Sequence, residues 1–390
     1  MHVDIAIIGA GPAGLCLARA LSGQGLSILL VERQALNALA EPAEDGREIA
    51  LTHASRAELE RLGLWTRFAA EDVSPLRDAQ VLNGSSPFAL RIDAALAGAG
   101  QLGYLVPNQA IRRAAFAVVS ECADIGLRDQ RSLQSVEIGA ESARLELSDG
   151  EVVHARLLVA ADSRFSETRR LLGIGARMED FGKTMLVCRM AHEQPHRQVA
   201  WEWFGYGQTL ALLPLNGDCS SVVLTLPQRE MAVMQALDEE AFARDIERRF
   251  AYRLGGMRLL GERHCYPLVG VYSDRFGGPR SVLIGDAAVG MHPVTAHGFN
   301  FGLQSARRLA TEVLDAHRKG QDIGAQAPLL KYALRHRLAT WPLYQATSLI
   351  AGLYNDRRPP ARLLRNAGLR LAQGLPPLRQ AIARHLTQHA

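Results

Sequence analysis

Cross-linking chemistry is scarce in this chain. Its 390 residues include five cysteines, Cys16, Cys122, Cys188, Cys219 and Cys265, scattered without a CxxC pair. That distribution fits reduced thiols rather than a disulfide framework or a cysteine metal site. Long apolar runs are missing as well: none approaches the ~18 residues of a membrane-spanning helix. The first residues do not show a charged leader, a short apolar stretch and a small-residue cleavage site in succession, so a cytoplasmic chain is expected. Neither a GxSxG elbow nor a basic patch interleaved with aromatics occurs, which leaves out an esterase-type nucleophile and a nucleic-acid partner. One metal-like pattern, His192-Glu193-Gln194-Pro195-His196, needs a helix to bring both imidazoles to one face. Pro195 and strand-like flanks oppose that helix, and no metal ligand is assigned. Acids are nearly absent from the end of the chain. Positions 331–390 hold ten Lys and Arg against one acid, Asp356, a charge of +9 that leaves −5 for the preceding residues and +4 overall. Such polarity suits an acidic partner or surface, or a solvated basic helical face.

Glycine is concentrated where the chain begins, in HVDIAIIGAGPAGLCLARAL. Val3 to Ile8 reads as a buried parallel strand. Gly9 and Gly11 allow a tight turn with close approach of a phosphate, and Gly14 lets the following helix pack on the strand. The helix start then faces the anion. A second strand, Leu26 to Val31, ends in Glu32, about 20 residues beyond the glycines, where a carboxylate accepts from a ribose hydroxyl and disfavours a 2′-phosphate.

A chain of this length exceeds one core, so two domains and a tail are expected. After the first βαβ unit, Arg47 precedes an apolar segment and Ser55 is placed to cap a helix over Arg56 to Leu62. Residues 76–100 are rich in turn formers. NQAIRRAAFAVVSECA has helical spacing, and Ala143 to Leu147 with Val152 to Ala160 flank Asp149-Gly150 as a hairpin. From about 181 the texture becomes short strands, TMLVCRM, VAWEWFG, QTLALLPL and SSVVLTL, followed by a helix over Glu239 to Phe250. Then SVLIGDAAVGMHPVTAHGFNFGLQSARRLATEVL returns to buried strand, polar loop and long helix. The fold expected is α/β: a discontinuous Rossmann-like domain (1–75, 101–180, 271–325), a mainly antiparallel sheet domain inserted in it (76–100, 181–270), and a basic helical region (326–390).

With GAGPAG, DGREIAL and GDAAVGMHPVTAHGFNFG in that order, the chain resembles the flavoprotein aromatic hydroxylases of the para-hydroxybenzoate hydroxylase fold over about residues 1–330. Within them it is most similar to the ubiquinone-biosynthesis hydroxylases of the UbiH, UbiF and UbiM type. DGREIALTHAS, VAADSRFSETRR and HPVTAHGFN are closest to the UbiM branch, the demethoxyubiquinol hydroxylases. The resemblance implies FAD, with Asp286 on a ribityl hydroxyl and Arg47 beside the flavin and its ribityl-phosphate arm. Asp162 and Arg169 fall in a loop that touches FAD in this family, though a loop-to-helix cap by Asp162 explains the same residue. The backbone of Pro293 to Asn300 passes the flavin ring in the family, and a helix beginning near Asn300 directs its positive end at the N1 and C2 carbonyl edge, where reduced flavin is anionic. Gly298 and Gly302 permit close approach. The implied cofactor-binding set is Gly9, Gly11, Gly14, Glu32, Arg33, Arg47, Arg112, Asp162, Asp286, Pro293, Gly298, Phe299 and Asn300, with Pro293, His297 and Gly298 nearest the chemistry. Two positions depart from the family: Ala296-His297 replaces Gly-Gln, and Val289 replaces a histidine. His297 is either a titratable group near the reacting oxygen or a packed polar residue.

The reaction implied is monooxygenation. NAD(P)H or another donor reduces FAD, O2 is co-substrate, and a flavin C4a-hydroperoxide hydroxylates the ring of a polyprenylated phenol or quinol in ubiquinone biosynthesis. The cofactor carries the difficult chemistry, so no acid-base dyad is needed. Trp201, Trp203 and Phe204 either line the substrate pocket or pack in a core. The alternatives are a hydroxylase of a soluble phenol, an isoprenoid reductase, or a flavin-binding subunit without turnover. In the tail, Leu363, Leu364, Ala367 and Leu371, then Leu378, Ile382 and Leu386, recur at helical spacing beside arginines. That pattern suits a peripheral helix pair on an anionic inner-membrane surface, or one packed on the protein body or on other ubiquinone-biosynthesis proteins.

Overall fold

The computed structural model describes residues 1–84, 86, 88–205, 207–291, 298–355, 368–371 and 373–387. His2–Ile8 carries apolar residues on both faces because it lies inside a parallel sheet, between Val152–Ala160 and Ile28–Val31. Ile125–Arg128 extends that sheet on one side and Ser281–Leu283 on the other. The expected hairpin pairs Ala143–Leu147 with the first half of Val152–Ala160, and Leu133–Ile138 follows beyond it, as a branch off the main strand order. Helices Pro12–Leu21, Asn108–Ser120 and Gly298–Arg318 cover one face and bury Leu17, Leu21, Ile111, Leu309 and Val313 against Ile5 and Ile7.

A second eight-stranded sheet stands beside the first and is antiparallel except for one pair, in which Val199–Phe204 runs parallel to Asp78–Asn83. Its order is Val289–Gly290, Met257–Ser273, Ala176–His192, Cys219–Pro227, Thr209–Pro214, Val199–Phe204, Asp78–Asn83 and Ala89–Asp93. Helices Gln228–Ala236 and Glu239–Arg249 pack on one face through Met231, Phe242 and Ile246. A small third sheet joins Glu48–Leu51, Gly103–Pro107 and Ser74–Leu76.

Several local expectations change. The helix after Arg47 spans His53–Arg61, and its cap is Thr52 rather than Ser55: the Thr52 hydroxyl accepts from the Ser55 backbone N–H. A β-branched residue in extended geometry, three residues upstream of the expected cap, satisfies the helix's orphan donors. The strand around TMLVCRM runs for 17 residues, Ala176–His192, because an equally long partner, Met257–Ser273, pairs along it with two irregularities. That partner carries Arg258, Glu262 and Arg263 in its first half, which interrupt the alternation. His192 ends a strand, with its ring bonded to Ser220 Oγ and the Gln194 carbonyl, while His196 bonds the Leu215 carbonyl. The tail helix Pro376–Thr387 lies on the second sheet's edge: Ala383 packs with Ile92 and Leu102, and Arg379 bonds Asp93 at 2.9 Å. Arg362 to Ala367 lie outside the described residues.

Candidate active site

At the end of the first strand Gly9 adopts φ +109°, a conformation disfavoured for any residue with a Cβ, and a Cβ there would stand 2.6 Å from the Ala161 carbonyl oxygen. Gly14 is constrained by packing: its Cβ would meet the Gly9 oxygen at 2.0 Å. Gly11 differs from both, since a Cβ on it meets nothing within 4 Å. It is also the N-cap of helix Pro12–Leu21, and no side chain caps that helix. The turn is therefore closed toward the protein and open at Gly11, with a helix start aimed outward, the requirement for holding an anionic group.

Glu32 sits at this turn, its carboxylate accepting from Ala10 N–H at 2.8 Å and Gln34 N–H at 3.0 Å. Arg112 donates to the Gln34 side chain at 3.1 Å, which brings it beside Glu32, whereas Arg33 is exposed. Arg47 is held by a two-pronged contact to Asp45, at 2.6 and 3.2 Å, and lies over the Tyr266 ring. Burial alone would raise the Asp45 carboxyl, but its bonds from Arg47 and Asn108 hold it below the usual carboxylate range. The Tyr266 hydroxyl donates to the Asp45 carbonyl, tying this corner to the second sheet.

Asp286 lies in the turn Gly285–Ala287 and accepts from Arg164 at 3.1 Å. Both Asp162 oxygens are engaged inside their own loop, one by the Ser166 hydroxyl and one by the Thr168 N–H, which is the capping geometry, while its Cα borders the Gly9 turn. Arg169 is buried and donates to the Ala287 carbonyl at 3.1 Å, clamping that loop to the Asp286 turn. Burial lowers its ordinarily very high pKa. Helix Gly298–Arg318 starts against the same turn: Gly302 comes within 3.7 Å of both Ala13 and Gly285, measured from the position of a Cβ. Asn300 is buried, and its amide donates to the Ala50 carbonyl and accepts from Thr52 N–H, so it locks the helix start to the third sheet. Phe299 packs on the core, and no described atom lies within 4 Å of a Cβ on Gly298. Pro293 and His297 lie outside the described residues.

Three stretches as distant in sequence as Ala13 and Gly302 thus meet at one site, and the family can be read against that geometry. The FAD binding domain model matches residues 2–346. The chain belongs to this family. It is 46% identical to ubiquinone hydroxylase UbiM of Neisseria meningitidis over 99% of its own length and 85% of that protein. Ubiquinone hydroxylase UbiL of Rhodospirillum rubrum is 34% identical over 98% of this chain and 89% of its own, and 3-demethoxyubiquinol 3-hydroxylase of Escherichia coli is 26% identical over 95% and 94%. In fold it is similar to PqsL of Pseudomonas aeruginosa in complex with 2-aminobenzoylacetate, with TM-score 0.77 and 22% identity over 95% of this chain and 99% of that one. The p-nitrophenol 4-monooxygenase PnpA of Pseudomonas putida gives TM-score 0.79 at 17% identity, over 99% and 98%. FAD is the cofactor of the family, and the open Gly11 position beside an uncapped helix start fits its pyrophosphate.

Arg164, Tyr266 and the Glu48–Arg189 pair were not singled out from sequence. Arg189 holds the buried Glu48 at 2.7 Å, but burial dominates and still raises that carboxyl above its ordinary value. The pair borders a cavity of about 320 Å³ with Glu44, Glu71 and Asp72. Its acidic lining does not suit a phosphate, and it stands apart from the glycine turn. Trp201 and Trp203 are core residues on the helix side of the second sheet, while Phe204 is buried on the other face.

Proposed function

We propose that this chain is an FAD-dependent monooxygenase that hydroxylates the aromatic ring of a polyprenylated phenol or quinol in ubiquinone biosynthesis, using NAD(P)H or another donor and O2. The observation that carries the reading is the contact of the third motif with the first: Gly285 and Gly302 both pack against Ala13 of the glycine loop. FAD supplies the redox and oxygen chemistry when bound. Residues 1–75, 101–180 and 271–325 form its binding unit, and 76–100 with 181–270 form the substrate unit. Gly9, Gly11 and Gly14 shape the pyrophosphate cradle, Glu32 takes the ribose hydroxyls with Arg33 and Arg112 beside it, and Asp286 takes the ribityl chain. Arg47 flanks the flavin. Asp162 borders the cradle through its backbone, and Asn300 and Phe299 set the helix start so that Gly298 meets the ring; Pro293 and His297 complete the proposed set. The test is incubation of the flavin-loaded protein with a short-chain demethoxyubiquinol, reductant and isotopically labelled dioxygen. Label in a hydroxylated ring is expected, and reductant oxidation without labelled product would refute it.

A polyprenyl substrate resides in a membrane, and the chain offers a face suited to its surface. On helix Gln326–Asn355, Leu330, Leu334, Leu338 and Trp341 recur at spacings of four, four and three residues and are all exposed, Leu338 to 67%. Leu349, Leu371 and Leu375 are exposed further along. No helix among the described residues is long and apolar enough to cross a membrane. This stripe, flanked by the basic end of the chain, rests on anionic lipid while Ala383 and Leu369 pack on the protein. Co-sedimentation with anionic liposomes should weaken with salt and with Leu334→Glu plus Leu338→Glu. Indifference to both would rule the attachment out.

A further inference from the structure

Strand Val199–Phe204 reads VAWEWF, and pleating divides these side chains between two faces. Trp201 and Trp203 enter the core beneath helix Glu239–Arg249. Glu202 therefore points to the opposite face. Across the sheet its row runs Val187, Val223, Ala211, Glu202, Val81 and Leu90, one acid among five apolar side chains. The same face bears Met185 and, paired with it, Tyr266, whose hydroxyl and ring meet Asp45 and Arg47, so it is turned toward that corner of the cofactor site.

An acid in this row does nothing for the fold. Among the described residues neither a donor nor a cation pairs with its carboxyl, and burial is the one influence on it. Glu202 keeps some accessible surface, yet the protein around it desolvates its carboxyl. Leaving a carboxyl desolvated and unpartnered is costly, and such a cost persists at sites that use it.

We propose that Glu202 is the proton acceptor for the substrate's ring hydroxyl. This rests on the hydroxylase reading above. The hydroxyl O–H bond breaks as its proton passes to a Glu202 oxygen. The electron pair left on the phenolate oxygen enriches the ring at the position to be hydroxylated, and the proton returns to the oxygen of the product. Proton and electrons balance, with O2 and the reductant supplied by the hydroxylase reaction proposed above. Without a partner the Glu202 carboxyl is pushed up to about 8 by burial, which places both of its forms within reach near neutral pH. The two paired strands bring no other titratable group to this face: Val81, Ala79 and Asn83 flank it on one side, Ala211, Thr209 and Leu213 on the other. Arg189 lies three strands away on the same face and is occupied by Glu48, Tyr266 is four strands away, and Arg253 stacks on Trp203 from the opposite face. On the covering tail, Leu369 packs over Leu90 beside the exposed Arg370, and Arg379 is paired with Asp93.

The test compares wild type, Glu202→Gln and Glu202→Asp as FAD-loaded proteins on a short-chain demethoxyubiquinol. E202Q should keep its FAD and melting temperature but hydroxylate ~100-fold more slowly, as expected for loss of a proton acceptor. It should also lose the rise of kcat/KM with pH that wild type shows up to about 8, and E202D should restore that rise. Infrared difference spectra give a second readout, because the wild type should show a protonated-carboxyl band that E202Q lacks and that shifts when the quinol is added without reductant. E202Q hydroxylating with the wild-type pH profile, or a carboxyl band unmoved by the quinol, would overturn the proposal while leaving the hydroxylase reading intact. A wild type whose Glu202 band responds to the quinol but which forms no hydroxylated product would overturn the hydroxylase reading and leave Glu202 as the hydroxyl-binding group.

Discussion

Gly11 and Gly14 stand three residues apart in one loop, and the structure predicts opposite outcomes for the same substitution. In Gly14→Ala the new methyl lies 2.0 Å from the Gly9 carbonyl oxygen, where ordinary contact begins at 3.4 Å. Helix Pro12–Leu21 must then retreat by about 1.4 Å from the strand. The obstacle is backbone and cannot rotate away, so the cost falls at or above the upper end of overpacking, about 3 kcal/mol, with a melting temperature lower by several degrees. In Gly11→Ala the methyl meets nothing within 4 Å, and φ of −73° suits alanine. The small loss of a glycine N-cap is offset by the smaller entropy of the unfolded chain, leaving the apo-protein within about 1 kcal/mol of wild type. The same methyl occupies the approach of the pyrophosphate, so FAD affinity should fall at least tenfold, about 1.4 kcal/mol. Differential scanning fluorimetry of the apo-proteins and fluorescence titration with FAD separate the two effects. If Gly11→Ala unfolds as early as Gly14→Ala, or binds FAD as wild type does, the assignment of that open position to the cofactor is wrong.

Asp286→Ala should release Arg164 and weaken FAD retention at least tenfold with little change in melting temperature, because both side chains are partly exposed and their ion pair contributes little to stability; unchanged flavin content after gel filtration would contradict it. Gly298→Val meets no described protein atom, so the variant should fold and bind FAD yet oxidise reductant with little hydroxylated product, and normal coupling would remove the helix start from the chemistry. Asp45 is held below its ordinary range, so it stabilises the fold above the unfolded carboxylate pKa of about 4 and loses that contribution as pH falls through its lower folded value. Asp45→Asn should therefore flatten the acid limb of stability, measured as melting temperature against pH, and an unchanged limb would refute this.

The cofactor half of the molecule was legible because its determinants are local. Gly9, Gly14 and Glu32 act within a single βαβ unit, where strand, turn and helix follow one another and each residue's backbone demand is set by its neighbours. The polar turn of Asp286 after an apolar strand was legible for the same reason. What escaped were residues whose roles are assigned by distant partners. The Asn300 amide bonds the backbone of residues 50 and 52, some 250 positions away, a contact its own neighbours do not announce. Thr52 displaced Ser55 as a cap once the third sheet fixed where the chain enters its helix. In strand Met257–Ser273, Arg258, Glu262, Arg263 and Pro267 break the alternation, and its extent is set by pairing with Ala176–His192.

By itself, then, the sequence determined the dinucleotide turn, the parallel core strands and the return of the chain to that core near residue 281, since local backbone geometry and apolar runs suffice for these. Which face of each antiparallel strand looks at the groove was decided by tertiary structure alone. Register differs by one residue between burying Glu202 with the tryptophans and turning it to the opposite face, and that choice comes from pairing with Thr209–Pro214 and Asp78–Asn83.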